Sequence, residues 1–248
     1  MLGSDLTARA RLVARALKYR YRQDVREVRC VRAMLPLGGI ALDIGAHKGA
    51  YTYWMRRAVG PSGRVIAFEP QVELARTLAR LFAATPNVTV LNVGVSSREG
   101  PSRLAIPGSG PSPGARVDAG SPTAGGRSVP ILVTTVDRCV ATNRLATVDF
   151  VKCDVEGHEL DVFEGAVETL HEHRPTLLFE CEERHLPRGG VSSVFAFLAR
   201  HGYEGFFFDA RGTHPVAAFD PSVHQGAGAL PYINNFLFTP RQRPSRAG

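Results

Sequence analysis

Ile40-Ala41-Leu42-Asp43-Ile44-Gly45-Ala46-His47-Lys48-Gly49 is answered twenty-odd residues later by Val65-Ile66-Ala67-Phe68-Glu69-Pro70. The first stretch reads as a buried strand that ends in a glycine-rich turn, the second as a strand that ends in a carboxylate. In an open α/β sheet, such a pair builds a site for a ligand bearing a ribose. Glycine lets the backbone approach the ligand closely, and Glu69 can accept hydrogen bonds from two vicinal hydroxyls. The turn lacks the middle glycine of GxGxxG, which makes room for a pyrophosphate, and GxxxxGK[ST] is absent. A ribose without a pyrophosphate fits better.

Working outward, strand and helix patterns alternate. Residues 5–34 have helix-like apolar spacing and read as two helices or one interrupted helix, ended by Pro36 and Gly38-Gly39. Strands are expected at 40–44, 64–68, 88–93, 149–154, 176–179, 203–208 and 235–238, with a short one at 131–133. Helices are expected at 48–59, 72–84, from 135, at 160–173 and at 191–201. The segment 96–130 is dense in Gly, Pro and Ser, and 107–126 has hardly any large apolar residue. It reads either as a flexible surface insertion or as a flap over the site.

Bulk properties narrow the class. A chain of 248 residues with 44% apolar content supports one large α/β domain. No run of 18 apolar residues exists, which argues against a membrane span. Cys30, Cys139, Cys153 and Cys181 are scattered and read as reduced thiols; with no secretion-signal pattern, a cytoplasmic location is expected. The net charge of +7 is uneven: residues 1–32 hold nine basic and three acidic side chains, and Arg241, Arg243 and Arg246 lie in the last eight residues. The body between is slightly acidic and lacks interleaved aromatic and basic residues, which argues against a nucleic-acid partner. The basic N-terminal helices read as a solvated face and could also carry a homo-oligomer contact.

Functional residues of such a sheet gather at the carboxyl ends of its strands. Those ends carry Asp43, Glu69, Asn92, Asp154 with Glu156, and Glu180 with Glu182. Acids thus recur at four of five exits.

Leu42–Gly49 with Phe68-Glu69-Pro70 resembles the first motif and acidic loop of class I S-adenosylmethionine-dependent methyltransferases. More narrowly, Asn92–Ser96, Val133–Asp137, Phe150–Glu159, Phe163–Ala166, Arg174–Glu180 and Asn234–Phe238 resemble the FkbM family. The resemblance spans roughly residues 38–240, leaving 1–37 as an N-terminal helical cap and 241–248 as a basic tail. It implies a Rossmann-like α/β fold with a seven-stranded, mostly parallel sheet of order 3-2-1-4-5-7-6. It also implies S-adenosylmethionine as cofactor and a hydroxyl of a natural product, sugar or glycolipid as acceptor. Carried over by position, Asp43 orders the glycine loop, Gly45 admits the methionyl part, and Ala46, His47, Gly49, Tyr51 and Thr52 surround its amino-acid end. Glu69 with Pro70 holds the ribose, Asn92, Val93 and Gly94 flank the adenine, and Asp154 lies near the amine or the sulfonium.

An alcohol must lose its proton as it is methylated. His158, Glu156, Glu182 and His185 are the polar candidates near the exits, and His158 or Glu182 is favoured as the base. Asp154, Glu180 and Glu182 could instead offer oxygen ligands to Mg²⁺. An RNA-modifying methyltransferase is the alternative reading. A nicotinamide-dependent oxidoreductase is disfavoured by the incomplete glycine motif.

Overall fold

The structure is a computed structural model that describes residues 2–117, 125–186 and 189–241. Residues 118–124 of the expected insertion, and Arg243 and Arg246 of the expected tail, lie outside the described residues. Two helices, α1 (Leu2–Tyr21) and α2 (Val25–Met34), precede the first strand. There follow β1 (Ile40–Ile44), α3 (Ala50–Val59), β2 (Arg64–Phe68), α4 (Val72–Phe82) and β3 (Val88–Leu91). The chain then turns into β4 (Gly94–Val95), β5 (Gly100–Ile106), β6 (Arg116–Val117) and β7 (Arg127–Thr134). The alternation resumes with α5 (Val136–Thr142), β8 (Phe150–Cys153), α6 (Glu159–Glu164), α7 (Val167–Glu172), β9 (Thr176–Glu180) and α8 (Gly190–Arg200). It closes with β10 (Tyr203–Asp209), β11 (Gly212–Pro215), α9 (Pro221–His224) and β12 (Asn235–Pro240).

The α/β class is as expected, with a correction to the sheet. It has eight strands, not seven, in the order β11-β10-β12-β9-β8-β1-β2-β3. The added edge strand comes from the tight reversal at Asp209–Gly212, where Asp209 Oδ1 accepts from the Arg211 and Gly212 amides. The pairs from β3 to β9 are parallel and those made by β12 and β10 are antiparallel.

Both faces of the central strands are covered, so they read as continuous apolar runs. Alternation still sorts their side chains. Ala41, Val65, Phe150 and Leu178 face Val28, Val31, Trp54 and Met55 of α2 and α3. Leu42, Ile44, Ile66, Phe68, Val151, Leu177 and Phe179 face the opposite layer, with Val162, Phe163, Val194 and Leu198. On α1, Leu12 and Ala16 are buried, and Trp54 Nε1 donates to the Ala16 carbonyl at 2.8 Å.

Two expectations on local structure change. The stretch 160–173 is two short helices, because Gly165 packs so closely on the Ser96 carbonyl that a Cβ would overlap it. The segment 96–130 supplies most of a four-stranded sheet, β4-β7-β5-β6, which starts at Gly94 and ends at Thr134 and has Leu104, Ile106, Val117 and Val133 as its core. Among the described residues, no helix is long and apolar enough to cross a membrane.

Phe179 is fully buried between Phe163, Phe236 and Phe238, with ring centroids 5.1–5.9 Å apart. Phe179→Ala is expected to lower unfolding stability by about 3–5 kcal/mol in urea titrations. A loss below about 1 kcal/mol would contradict this packing.

Candidate functional site

The exits of β1, β2 and β8 converge on the glycine turn, and hydrogen bonds fix its shape. Gly45 and Ala46 amides donate to the Phe68 carbonyl at 3.1 and 2.9 Å. Gly45 has φ +80°, and a Cβ there would overlap the Asp154 carbonyl oxygen. Glycine is therefore required for two reasons, its backbone conformation and the close approach of β8. His47 also adopts a left-handed conformation, with φ 47°. Its amide donates to Glu69 Oε2 at 2.7 Å. Gly49, at φ +78°, begins α3, and a Cβ there would press on Leu78.

Glu69 is only 2% exposed. Its other oxygen, Oε1, accepts from the Gln71 amide at 2.8 Å. Burial pushes the carboxyl up to about 7, against the opposing pull of those two amides. The Gln71 side chain also favours the charged form, and a carboxylate has about four lone-pair sites, so acceptor capacity remains for a ligand. Asp43 is buried and accepts from Thr52 Oγ1, and burial raises it to about 6. The Asn92 amide donates to the carbonyls of Glu69 and Pro70 at 2.9 and 3.0 Å, bracing the exit of β2.

Two cavities meet at this turn and share Gly45, His47 and Asp154. The first is bounded by Glu69, Pro70, Val93 and Gly94, with an apolar wall from Phe68, Val95, Leu104 and Val117. The second is bounded by Asp43, Ala46, Lys48, Tyr51 and Lys152, and by Arg15 and Tyr19 of α1. Of the residues expected around a cofactor, Asp43, Gly45, Ala46, His47, Tyr51, Glu69, Pro70, Val93, Gly94 and Asp154 thus line the two cavities. Gly49, Thr52 and Asn92 brace them from behind. The His47 ring is held neutral, since burial lowers it to about 4, and its Nε2 is buried with no partner among the described residues.

Sequence reasoning missed several residues here. Gln71 exchanges two hydrogen bonds with the backbone of Ser112, both 2.9 Å, and so latches the 107–115 segment beside the first cavity. Pro113 and Ala115 of that segment form part of the cavity wall. The described part of the insertion thus adjoins the first cavity. Lys152 is 1% exposed, with Nζ 3.8 Å from Asp154 Oδ2 and 5.0 Å from the Tyr51 ring centroid. Burial opposes its charge, but Asp154, Glu180 and Asp24 outweigh that and raise its pKa. Tyr51 in turn donates to Asp24 Oδ2 at 2.8 Å.

The candidate bases divide clearly. His158 faces Ser96 Oγ through Nε2 at 3.0 Å and Asp161 through Nδ1 at 3.5 Å; like Glu156 and Glu182, it lies outside the lining of these two cavities. Glu182 accepts from Arg184 Nε at 2.6 Å, Tyr232 Oη at 2.8 Å and Asn234 Nδ2 at 3.3 Å. Burial raises its pKa, but these three donors prevail and hold it below the usual glutamate value, which makes it a weak proton acceptor. Glu156 sits at φ 56° with Oε2 3.2 Å from His185 Nδ1. Burial, with Asp154 and Glu182 nearby, pushes it up to about 7. Burial lowers the pKa of His185. The buried Glu159 holds this loop by accepting from the Val155 and Gly157 amides at 3.3 and 3.1 Å.

The expected Mg²⁺ set of Asp154, Glu180 and Glu182 is not supported. Among the described residues, no three His, Cys, Asp or Glu side chains are arranged to hold a metal. Glu180 accepts from Asn234 Nδ2 at 2.8 Å, and its pKa is raised to about 9 by burial and by Asp154. Protein donors already engage Asp154, Glu180 and Glu182.

A Rossmann-like sheet with a glycine turn, a buried carboxylate at the second exit and an acidic fourth exit is the fold of the class I S-adenosylmethionine-dependent methyltransferases. The Methyltransferase FkbM domain model matches residues 43–204, and the chain belongs to that family. The crystal structure of methyltransferase FkbM from Methylobacillus flagellatus KT is similar in fold, with a TM-score of 0.54 at 15% identity over 90% of this chain and 47% of that one. This chain therefore spans about half the length of that relative. A putative rRNA-methylase from Clostridium thermocellum aligns with a TM-score of 0.50 at 11% identity, covering 88% of this chain and 96% of the other. At such identities the likeness establishes the fold alone. No curated protein gave a match.

Gln71→Ala removes the latch on Ser112 and the support the Gln71 side chain gives the Glu69 carboxylate, while leaving the backbone amide that donates to Glu69. Affinity for S-adenosylhomocysteine is expected to fall by roughly three- to tenfold, in line with two lost hydrogen bonds of about 0.5–1.5 kcal/mol partly regained from water. Cleavage by a nonspecific protease within 107–115 should also accelerate. Unchanged binding and cleavage would show that the latch has no role.

Proposed function

We propose that this chain methylates a hydroxyl oxygen of a natural product, sugar or glycolipid, with Glu156 as the proton acceptor. Residues 38–240 form the catalytic unit in this reading, and residues 1–37 a cap over it. The observation that carries it is the Glu156–His185 pair, whose carboxyl is poised near neutrality two residues beyond Asp154. A general base works best when its pKa lies near the working pH.

S-adenosylmethionine fits the two cavities by the chemistry of their donors. The apolar wall of Phe68, Val93 and Leu104 suits an adenine ring, and the unused lone pairs of Glu69 suit the ribose hydroxyls. Gly45 keeps the backbone open between the cavities, and the polar second cavity suits an amino-acid group. When bound, the cofactor supplies an electrophilic methyl group on a sulfonium that leaves as a neutral thioether. Asp154 stands where both cavities meet, and its carboxylate can favour a positive charge there. Lys152 keeps that carboxylate from facing the other acids alone. Glu156, backed by a neutral His185, takes the hydroxyl proton, and the fixed loop of Glu159 holds it in position. Alignment in a pocket of fixed dipoles supplies the rest of the barrier reduction.

Two measurements test this. Ribose hydroxyls favour the ionised form of Glu69, so the affinity for S-adenosylhomocysteine should decline as pH drops below about 7. Calorimetry at pH 5.5–8.5 should show that slope in the wild type and its disappearance in Glu69→Gln. Transfer of labelled methyl to a panel of hydroxylated glycosides and macrolides tests the base. The rate should rise with pH through about 7 as Glu156 deprotonates. Glu156→Gln should remove that rise and cost roughly 10²–10⁴-fold in kcat. Full activity in Glu156→Gln would overturn its assignment as base, and transfer confined to nitrogen or carbon acceptors would overturn O-methylation.

A further inference from the structure

The second cavity has one wall that the family match does not reach. Residues 43–204 carry that match, whereas Arg15 and Tyr19 belong to α1. Four residues apart, they share one helix face, and both line the cavity with Asp43, His47, Lys152 and Asp154. The helix is fixed at this point. Ala16 is fully buried beside Arg15, and its carbonyl accepts from Trp54 Nε1 at 2.8 Å. Leu12, one turn earlier, is buried in the cluster of Ala46, Leu78 and Phe82.

The charges around the cavity are unequally matched. Asp43 is engaged by Thr52, and Lys152 faces Asp154 at 3.8 Å and the Cys153 carbonyl at 3.3 Å. Arg15 has no carboxylate partner among the described residues. Its Nη1 reaches only the Lys48 carbonyl, at a long 3.4 Å. Beside it the buried His47 Nε2 has no partner among the described residues. The cavity thus has a cation without a carboxylate, Arg15, on the α1 side and a carboxylate, Asp154, on the side shared with the first cavity. A zwitterionic amino acid presents the complement, a carboxylate and an ammonium group on one carbon. Arginine is suited to the first because its planar fork matches a carboxylate.

We infer that Arg15 binds the α-carboxylate of the cofactor's methionyl part, with Tyr19 as the adjoining wall, so that α1 completes the cofactor site. The inference rests on the second cavity holding that amino-acid end, as proposed above. On this reading α1 recognises the ligand as well as covering the sheet, and discrimination between the cofactor and other adenosine compounds arises partly outside the family-matched segment.

The test is a two-by-two comparison by calorimetry on the full chain, with wild type and Arg15→Gln as proteins. The ligands are S-adenosylhomocysteine and its decarboxylated analogue. Wild type should prefer the carboxylate-bearing ligand by roughly tenfold or more, the range of a charge-assisted hydrogen bond. Arg15→Gln should lose that preference while binding the decarboxylated ligand as well as wild type does, and Arg15→Lys should restore part of it. Arg15 is half-buried at the cavity rim, and matching thermal melts would confirm that the variants fold. Equal preference in wild type and Arg15→Gln overturns the assignment, as does equal weakening of both ligands. An Arg15→Gln effect confined to the KM of an acidic acceptor would also overturn it and place the acceptor's anion there instead. Binding of neither ligand by the wild type would overturn the cofactor reading itself.

Discussion

The hydrogen bond from the His47 amide to the Glu69 carboxylate is the constraint on which the site depends. Neither partner is at ease alone. His47 holds a left-handed backbone that a non-glycine residue adopts at a cost, and Glu69 is a carboxyl taken almost entirely out of water. Together they offset each other: the amide supplies the buried carboxylate with a donor, and the carboxylate holds the strained turn. Since Gly45 and Ala46 also bond to the last carbonyl of β2, the turn and that strand's exit form one rigid piece. The Glu69 carboxylate is therefore held in one orientation by the fold itself, and a group so fixed carries little ordering cost on binding.

A second constraint is the buried cation beneath the acids. Lys152 lies on β8 with its ammonium buried among Asp154, Glu180 and Asp24. One positive charge does not match three carboxylates, and burial together with Asp154 raises the Glu180 pKa, which favours its protonated form. Asp24 lies between α1 and α2 and is bonded by Tyr51, so the N-terminal helices belong to the same electrostatic unit as the strand exits. An uncompensated acid cluster would be costly at this depth. The buried lysine and the upward shift of Glu180 both ease that cost.

The parallel strands were legible in the sequence because strands buried on both faces leave unbroken runs such as Ile40–Ile44 and Phe150–Cys153. Gly45, Glu69 and Asp154 were legible for a related reason, since the sheet's geometry places functional groups at strand exits. The second sheet was obscured by Pro101, Pro130 and the surrounding glycines, although the alternation of Leu104 and Ile106 with Arg103 and Ala105 carried a period of two. Gln71 had no signal at all. Its partner is a backbone group 41 residues away, and a backbone group leaves no trace in side-chain pattern. The same holds for the bases: sequence could place Glu156, Glu182 and His158 near exits, but only their neighbours separate a carboxylate held low by three donors from one raised by burial.

The small sheet changes what the insertion does in the fold. A bare loop of that length beside a ligand cleft would have to be ordered on each binding event, at an entropic cost for each residue fixed. Here Leu104, Ile106, Val117 and Val133 supply a small core, and the loop between β5 and β6 starts and ends on strands. Only its middle needs anchoring, and the paired bonds of Gln71 to Ser112 supply that at the residue adjoining Pro70. The wall that Leu104, Pro113, Ala115 and Val117 give the first cavity is thus referred back to Glu69 through two residues of backbone. Opposite it, α1 is referred to α3 through Trp54. The two walls are fixed to the same turn from opposite sides, so a change at either registers at Gly45–His47, where both cavities meet.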